Sequence, residues 1–277
     1  MKNSAKNRAA DIVCYTFLII VAITCIFPFY VMFINATHSN SSIMTKIALL
    51  PGKNITANLH WLTQRAQPMR MMLNSLIISV SSTALSAYIG ALTAYGFSKF
   101  RFKGNTVLFW VVLATMMIPT QMSLIGLAQI SHSIGILGSY WPVILPSMAS
   151  ASTVFWLRAH FAESVHNSLI EAARVEGYNE LAIFHRIALP LSKTGIATIS
   201  IFNFVNAWNN YLTPLTLLSD AKKFPISIGI AIIRTIEPRD LGALYLGLAI
   251  SVIPILIVFA CLSRYILAGL ASGAVKG

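Results

Sequence analysis

Little in this chain is charged. Only 10% of its 277 residues are Asp, Glu, Lys or Arg, against 56% that are hydrophobic, and mean hydropathy is +0.73. A water-soluble domain of this length carries about twice that share of charge, so the composition is that of a polytopic membrane protein. Cysteine is scarce too. Cys14, Cys25 and Cys261 lie in apolar runs with no C-x-x-C or Cys/His spacing, which argues against a disulfide scaffold or metal site. The six histidines are scattered, and no metal is expected. G-x-x-x-x-G-K-[ST] is missing, since Lys193-Thr194 follows RIALPLS rather than a glycine loop, so this chain hydrolyses no ATP itself. The apolar runs carry no internal acid or arginine of the kind an ion-coupled carrier uses, and no paired carboxylates suggest an enzyme.

What is present is long apolar sequence between charges. A charge at bilayer mid-depth costs about 2.5–3.5 kcal/mol on insertion scales, and about 20 apolar residues cross the core. The gaps predict six membrane helices: about 12–34, 71–97, 106–128, 140–158, 194–219 and 241–263. The third and fourth share one charge-free run from Gly104 to Leu157, too long for one helix, which turns back near residues 131–142 where Gly and Ser cluster before Pro142. Residues 224–233, FPISIGIAII, are apolar but too short to span, and suggest an interfacial or re-entrant segment. Six spans put both termini on one side. The basic residues, 12 inside and 8 outside, make that side cytoplasmic, with the KFRFK cluster at 99–103 as the firmest anchor.

Four of the eight acids, Glu163, Glu171, Glu176 and Glu180, fall between residues 159 and 193. Ser168 and Glu171 have capping-box spacing for a short amphipathic helix, Gly177 supplies a sharp turn and room for close approach by another surface, and a second helix over 180–188 ends at Pro190. A helix, glycine turn and helix make a knob.

The residues EAARVEGYNELAIFHRIALP, 171–190, resemble the cytoplasmic EAA loop of ABC-importer permeases. The match falls on Glu171, Ala172, Ala173, Gly177, Ile187, Leu189 and Pro190, within a loop of about 164–190. The segments ALTAYGFSKFRFKG, MMIPTQMSLIGL, WNNYLTPL and the terminal GLASGAVKG, with Asn74-Ser75, are similar to carbohydrate-importer permeases, specifically the MalG-like subunits of the maltose, raffinose and multiple-sugar systems. Where sugar permeases usually show Asp-Gly-Ala, this chain has Glu176-Gly177-Tyr178. The resemblance implies an all-α integral membrane protein of the MetI/MalG-like permease fold, one transmembrane domain over 1–277 and a prokaryotic plasma (inner) membrane location. It implies a sugar pore subunit that is not an enzyme and binds no cofactor, ATP and Mg being held by a partner ATPase. The implied partners are a MalF-like second permease, two ATP-binding cassette subunits, an extracellular or periplasmic sugar-binding protein and membrane lipid, with no nucleic acid. It also implies that the terminal GAVKG reaches into the ATPase interface. A permease for another small solute and a secondary transporter are the alternatives.

Asn203, Asn206, Trp208, Asn209, Asn210 and Tyr211 form the densest polar and aromatic group in any expected span. Amides exchange hydrogen bonds with sugar hydroxyls and aromatic faces cover a pyranose, so these six mark a candidate substrate path. Asparagines also glue membrane helices together. Ser79, Ser81, Ser82 and Ser86 with Gly90 read as tight packing of the second helix.

Overall fold

The computed structural model describes residues 2–236 and 240–274, with side chains placed over 11–235 and 240–263. Every regular element among them is helical: α1 (Lys2–Asn35), α2 (Asn40–Thr45), α3 (Ile55–Arg65), α4 (Pro68–Lys99), α5 (Asn105–Thr115), α6 (Thr120–Ser133), α7 (Trp141–Ile144), α8 (Ala151–Ser164), α9 (Asn167–Val175), α10 (Glu180–Ile183), α11 (Leu189–Leu191), α12 (Lys193–Asn209), α13 (Leu212–Leu217), α14 (Ile226–Ile236) and α15 (Leu241–Ala274). The end of the GAVKG tail lies outside the described residues.

Three stretches are long and apolar enough to cross a membrane as single helices, Asp11–Asn35, Pro68–Lys99 and Leu241–Ser263. They correspond to the expected first, second and sixth spans. The other expected spans are broken. The third bends by 96° between α5 and α6, where Pro119 lacks the N–H that would continue the ladder. The fourth starts with α7, opened by Pro142, then tightens into a 3-10 turn over Leu145–Ala149 containing Pro146, and resumes as α8 after Ser150. The fifth stops at Asn209 and restarts as α13. Charge gaps carry no information on these interruptions.

The chain forms two compact units, residues 1–68 with 229–253, and residues 69–228 with 254–277. In the first unit, α1 exposes apolar side chains such as Ile12, Phe17 and Ile26, as suits a helix meeting lipid or another membrane chain. The segment after it is no loose loop. Asn58 of α3 is buried and donates to the carbonyls of Ala36 at 2.9 Å and His38 at 3.0 Å, while Asn40 accepts from the Gly242 N–H at 2.9 Å. Buried Leu62 completes this small core.

In the second unit, α4, α5, α8 and α12 surround a core that includes Ala91, Ala94, Tyr95, Phe109, Leu157, Phe161 and Ile199. Gly90 lets α4 and α8 approach: a Cβ there would sit 2.6 Å from Thr153 Cγ2. Asn74 and Ser75 tie down the segment before α14. Asn74 donates to the carbonyls of Lys222 (2.9 Å) and Phe224 (3.0 Å) and accepts from the Tyr140 hydroxyl (2.9 Å), and Ser75 Oγ accepts from the Ile226 N–H (2.8 Å).

Candidate functional site: the EAA loop and a polar cavity

Capping in the EAA loop differs from the expected pattern. Helix α9 starts at Asn167, with His166 in extended backbone at its N-cap, so Ser168 lies inside the first turn and does not cap it. The extended backbone of Val165 and His166 sets the boundary two residues earlier than the Ser168–Glu171 spacing suggested. At the other end Gly177 has φ +86°. The Tyr178 N–H reaches the Ala173 carbonyl and the Gly177 N–H reaches that of Arg174, both at 3.0 Å, which is a Schellman turn. Apart from its chain neighbours, no heavy atom of the described residues lies within 4 Å of a Cβ built at Gly177, so its role within the chain is conformational. Asn179 then caps α10, its Oδ1 accepting from the Ala182 N–H at 2.8 Å.

The second half of the hairpin is not a plain helix over 180–188. After α10 comes a π turn, Phe184–Ala188, and then α11, in whose first turn Pro190 sits. A wider turn just before proline lets the preceding carbonyls move clear of its ring. The chain bends by 80° into α12 only after Leu191, so Pro190 lies in the final turn and does not end the helix.

The hairpin has an inward and an outward face. Ile170, Ala173, Ile183, Phe184 and Ala188 are buried in the main core, with Ile187 and Leu189 packed against it. Phe184 is the bulkiest anchor, with ring centroids 5.3 Å from Tyr95, 6.5 Å from Phe161 and 6.3 Å from Tyr88. Outward lie Glu171, Ala172, Gly177 and Pro190, together with apolar Leu169, Val175 (90% exposed) and Leu181. Arg174 clasps the two halves across the turn, its Nε 2.6 Å from Glu180 Oε1; that hydrogen bond raises the guanidinium pKa further, and Arg174 stays charged. Glu171 and Arg174 also border a recess of about 450 Å³ with Lys99 and Arg101, so the KFRFK cluster and the EAA residues share one charged patch.

The candidate substrate path divides. A cavity of about 330 Å³ is bounded by α4, α6, the turn between α7 and α8, α12 and α13. Asn203, Asn206 and Asn210 line it; Trp208, Asn209 and Tyr211 do not. Trp208 is only 2% exposed and stacks on Phe204 at 5.6 Å, which makes it core. The residues at 203, 206 and 210 recur at helical spacing and share a side that excludes 208. Asn203 is glue as well as wall: its amide donates to Ser86 Oγ and Thr153 Oγ1, both at 3.0 Å. Ser82 and Ser86 turn out to combine packing with lining, while Ser123 and Ser147 line the cavity without having been picked out from the sequence.

A model of the "Binding-protein-dependent transport system inner membrane component" family matches residues 86–272. The chain belongs to this family. The permease is 30% identical over 274 residues to the sn-glycerol-3-phosphate transport system permease protein UgpE of Yersinia pestis, covering 96% of this chain and 97% of that one. It is 31% identical to the polygalacturonan/rhamnogalacturonan transport system permease protein YtcP of Bacillus subtilis, with 98% and 100% covered. The arabinooligosaccharides permease protein AraQ of the same organism is 31% identical over 74% of this chain and 72% of its own length. Among solved structures, a chain of a bacterial ABC transporter involved in import of the acidic polysaccharide alginate superposes with a TM-score of 0.78 at 21% identity, covering 94% of this chain and 97% of that one, which establishes the shared fold. This permease is therefore a transport subunit of an ABC importer and a multi-pass membrane protein.

Sequence reasoning missed two features of the permease. Phe184 is absent from the motif spacing, although a large aromatic residue one position after Ile183 was the available signal. Val175 and Leu181 carry the exposed apolar surface; their position beside Gly177 was legible, their exposure was not.

Proposed function

We propose that this permease forms half of the translocation pore of an ATP-driven sugar importer, and that its EAA loop is the lever through which a separate ATPase moves that pore. The observation that carries the reading is the two-faced hairpin. Its inner face is seated around Phe184 in the same core that holds α4, α8 and α12, while Leu169, Ala172, Val175 and Leu181 stand exposed beside Glu171. Exposed apolar side chains on a braced hairpin suit a protein partner, and force applied there passes into the membrane helices through packed side chains.

The complete assembly contains a MalF-like second permease, two ATP-binding cassette subunits that bind ATP and Mg, and an external sugar-binding protein, with both termini of this chain cytoplasmic. The chain needs no cofactor of its own. Carbohydrate as cargo rests on relatives whose names specify polygalacturonan and arabinooligosaccharides, and the polar cavity at Asn203, Asn206 and Asn210 supplies a path for it. Purification of the tagged chain in mild detergent, with identification of the proteins recovered, tests the assembly. Stoichiometric recovery of a second permease and an ATP-binding subunit is expected; recovery of this chain without any ATPase contradicts the proposal.

A further inference from the structure

The cavity beside Asn206 has a chemistry that separates two kinds of carbohydrate. Among the described residues that line it, none carries a formal charge. The wall is built from hydroxyls and amides, with Ser82, Ser123, Ser147, Thr213 and Asn206 as examples, interleaved with a few aliphatic side chains. Three helix interruptions border it: the 96° break that ends at Thr120, the turn that ends at Ser150, and the break after Asn209 that presents Asn210. Irregular backbone at membrane depth persists where it is enclosed by protein or faces a watery path, and broken helices frame solute sites in other transporters. Polar lining and interrupted backbone are independent signs that solute passes here.

An anion entering such a space gives up hydration and requires a cation or several charge-assisted donors in return. The helix starts at Thr120 and Ser150 offer only about half an elementary charge each, and the Ser150 hydroxyl is already engaged by the Thr153 N–H at 3.3 Å. Neutral hydroxyls face no such deficit, because serine, threonine and asparagine both donate to and accept from them as water does. We propose that this cavity selects uncharged, hydroxyl-rich carbohydrate over acidic sugars and phosphate esters, so that charge is sorted at the permease as well as at the external binding protein. The inference rests on the importer reading above and narrows its substrate class.

The test uses the complete purified transporter in lipid nanodiscs, without the external binding protein. Equilibrium binding is measured for maltotriose and arabinotriose as neutral probes and trigalacturonate as the acidic one. The wild type is expected to bind the better neutral trisaccharide at least tenfold more tightly than trigalacturonate, and Asn206→Lys to narrow that ratio tenfold or more. Ser123→Lys, on a different helix, is expected to act in the same direction and serves if Asn206→Lys does not assemble. Equal or tighter binding of trigalacturonate by the wild type overturns the proposal, as does a ratio that neither lysine variant moves. Failure of the parent reading looks different: the chain then assembles with no ATPase and binds no carbohydrate of either kind.

Discussion

The EAA loop and the membrane cavity are both polar, yet they are polar in opposite ways. The recess beside the loop gathers Lys99, Arg101, Glu171 and Arg174, whereas the lining of the cavity contains hydroxyls and amides without a formal charge. Charge is inexpensive where water or a protein partner can reach it and costly where a solute must shed its hydration. The loop therefore invests in a braced, charged and partly apolar surface suited to another protein. The cavity keeps its groups neutral, and Asn203 stiffens its wall through Ser86 and Thr153. On the function proposed, one region would transmit force and the other would tolerate passage.

Substitutions that remove the parts distinctive of each region should affect the two regions differently. The largest effect is expected from Phe184→Ala, which empties the anchor of the loop and costs about 3–5 kcal/mol; a lowered thermal midpoint of the purified complex together with faster protease cleavage within 166–192 is the expected readout. Next comes Asn203→Ala, which strips Ser86 and Thr153 of a shared partner and costs about 1–3 kcal/mol. It is expected to lower the same midpoint while leaving loop cleavage unchanged, and equal cleavage changes in both variants would show that the two regions are not separate. Gly177→Ala forces an ordinary residue to φ +86° and costs about 1 kcal/mol, seen as loosened loop protection with little change in the midpoint. The smallest effect belongs to Arg174→Ala, because the pair with Glu180 is exposed on both sides; less than about 0.5 kcal/mol is expected, within the error of a midpoint measurement.

The loop was more legible in the sequence than the cavity. Glycine at 177 is demanded by a local backbone angle, and the EAA spacing lies on one continuous stretch, so both can be read along the chain. The cavity is assembled from four separated segments, which no periodicity brings together. Trp208 shows the limit plainly: a composition of amides and aromatics suggested a sugar site, but helical spacing turns Trp208 onto Phe204 while Asn203, Asn206 and Asn210 line the cavity. The three helices long and apolar enough to cross a membrane lie over charge gaps in the sequence. The breaks at 116–119 and 145–150 were not legible, because a proline reads equally well as a helix start or a kink until its neighbours are placed, and the break at 210–211 has no proline to mark it. Ser168 fails for a similar reason, since a capping box needs the chain to enter the helix at that residue, and here it enters at His166.

Coupled uptake by a Gly177→Val variant tests the lever most directly. The complete transporter is reconstituted into proteoliposomes with its external binding protein, and ATP hydrolysed is compared with sugar imported for wild type and variant. A branched side chain at φ +86° distorts the Schellman turn and displaces the outward face of the hairpin, while the membrane helices keep their own packing. The account predicts normal membrane insertion and an import rate at least tenfold lower, with hydrolysis no longer driven by substrate. Substrate-driven uptake at the wild-type rate would contradict it.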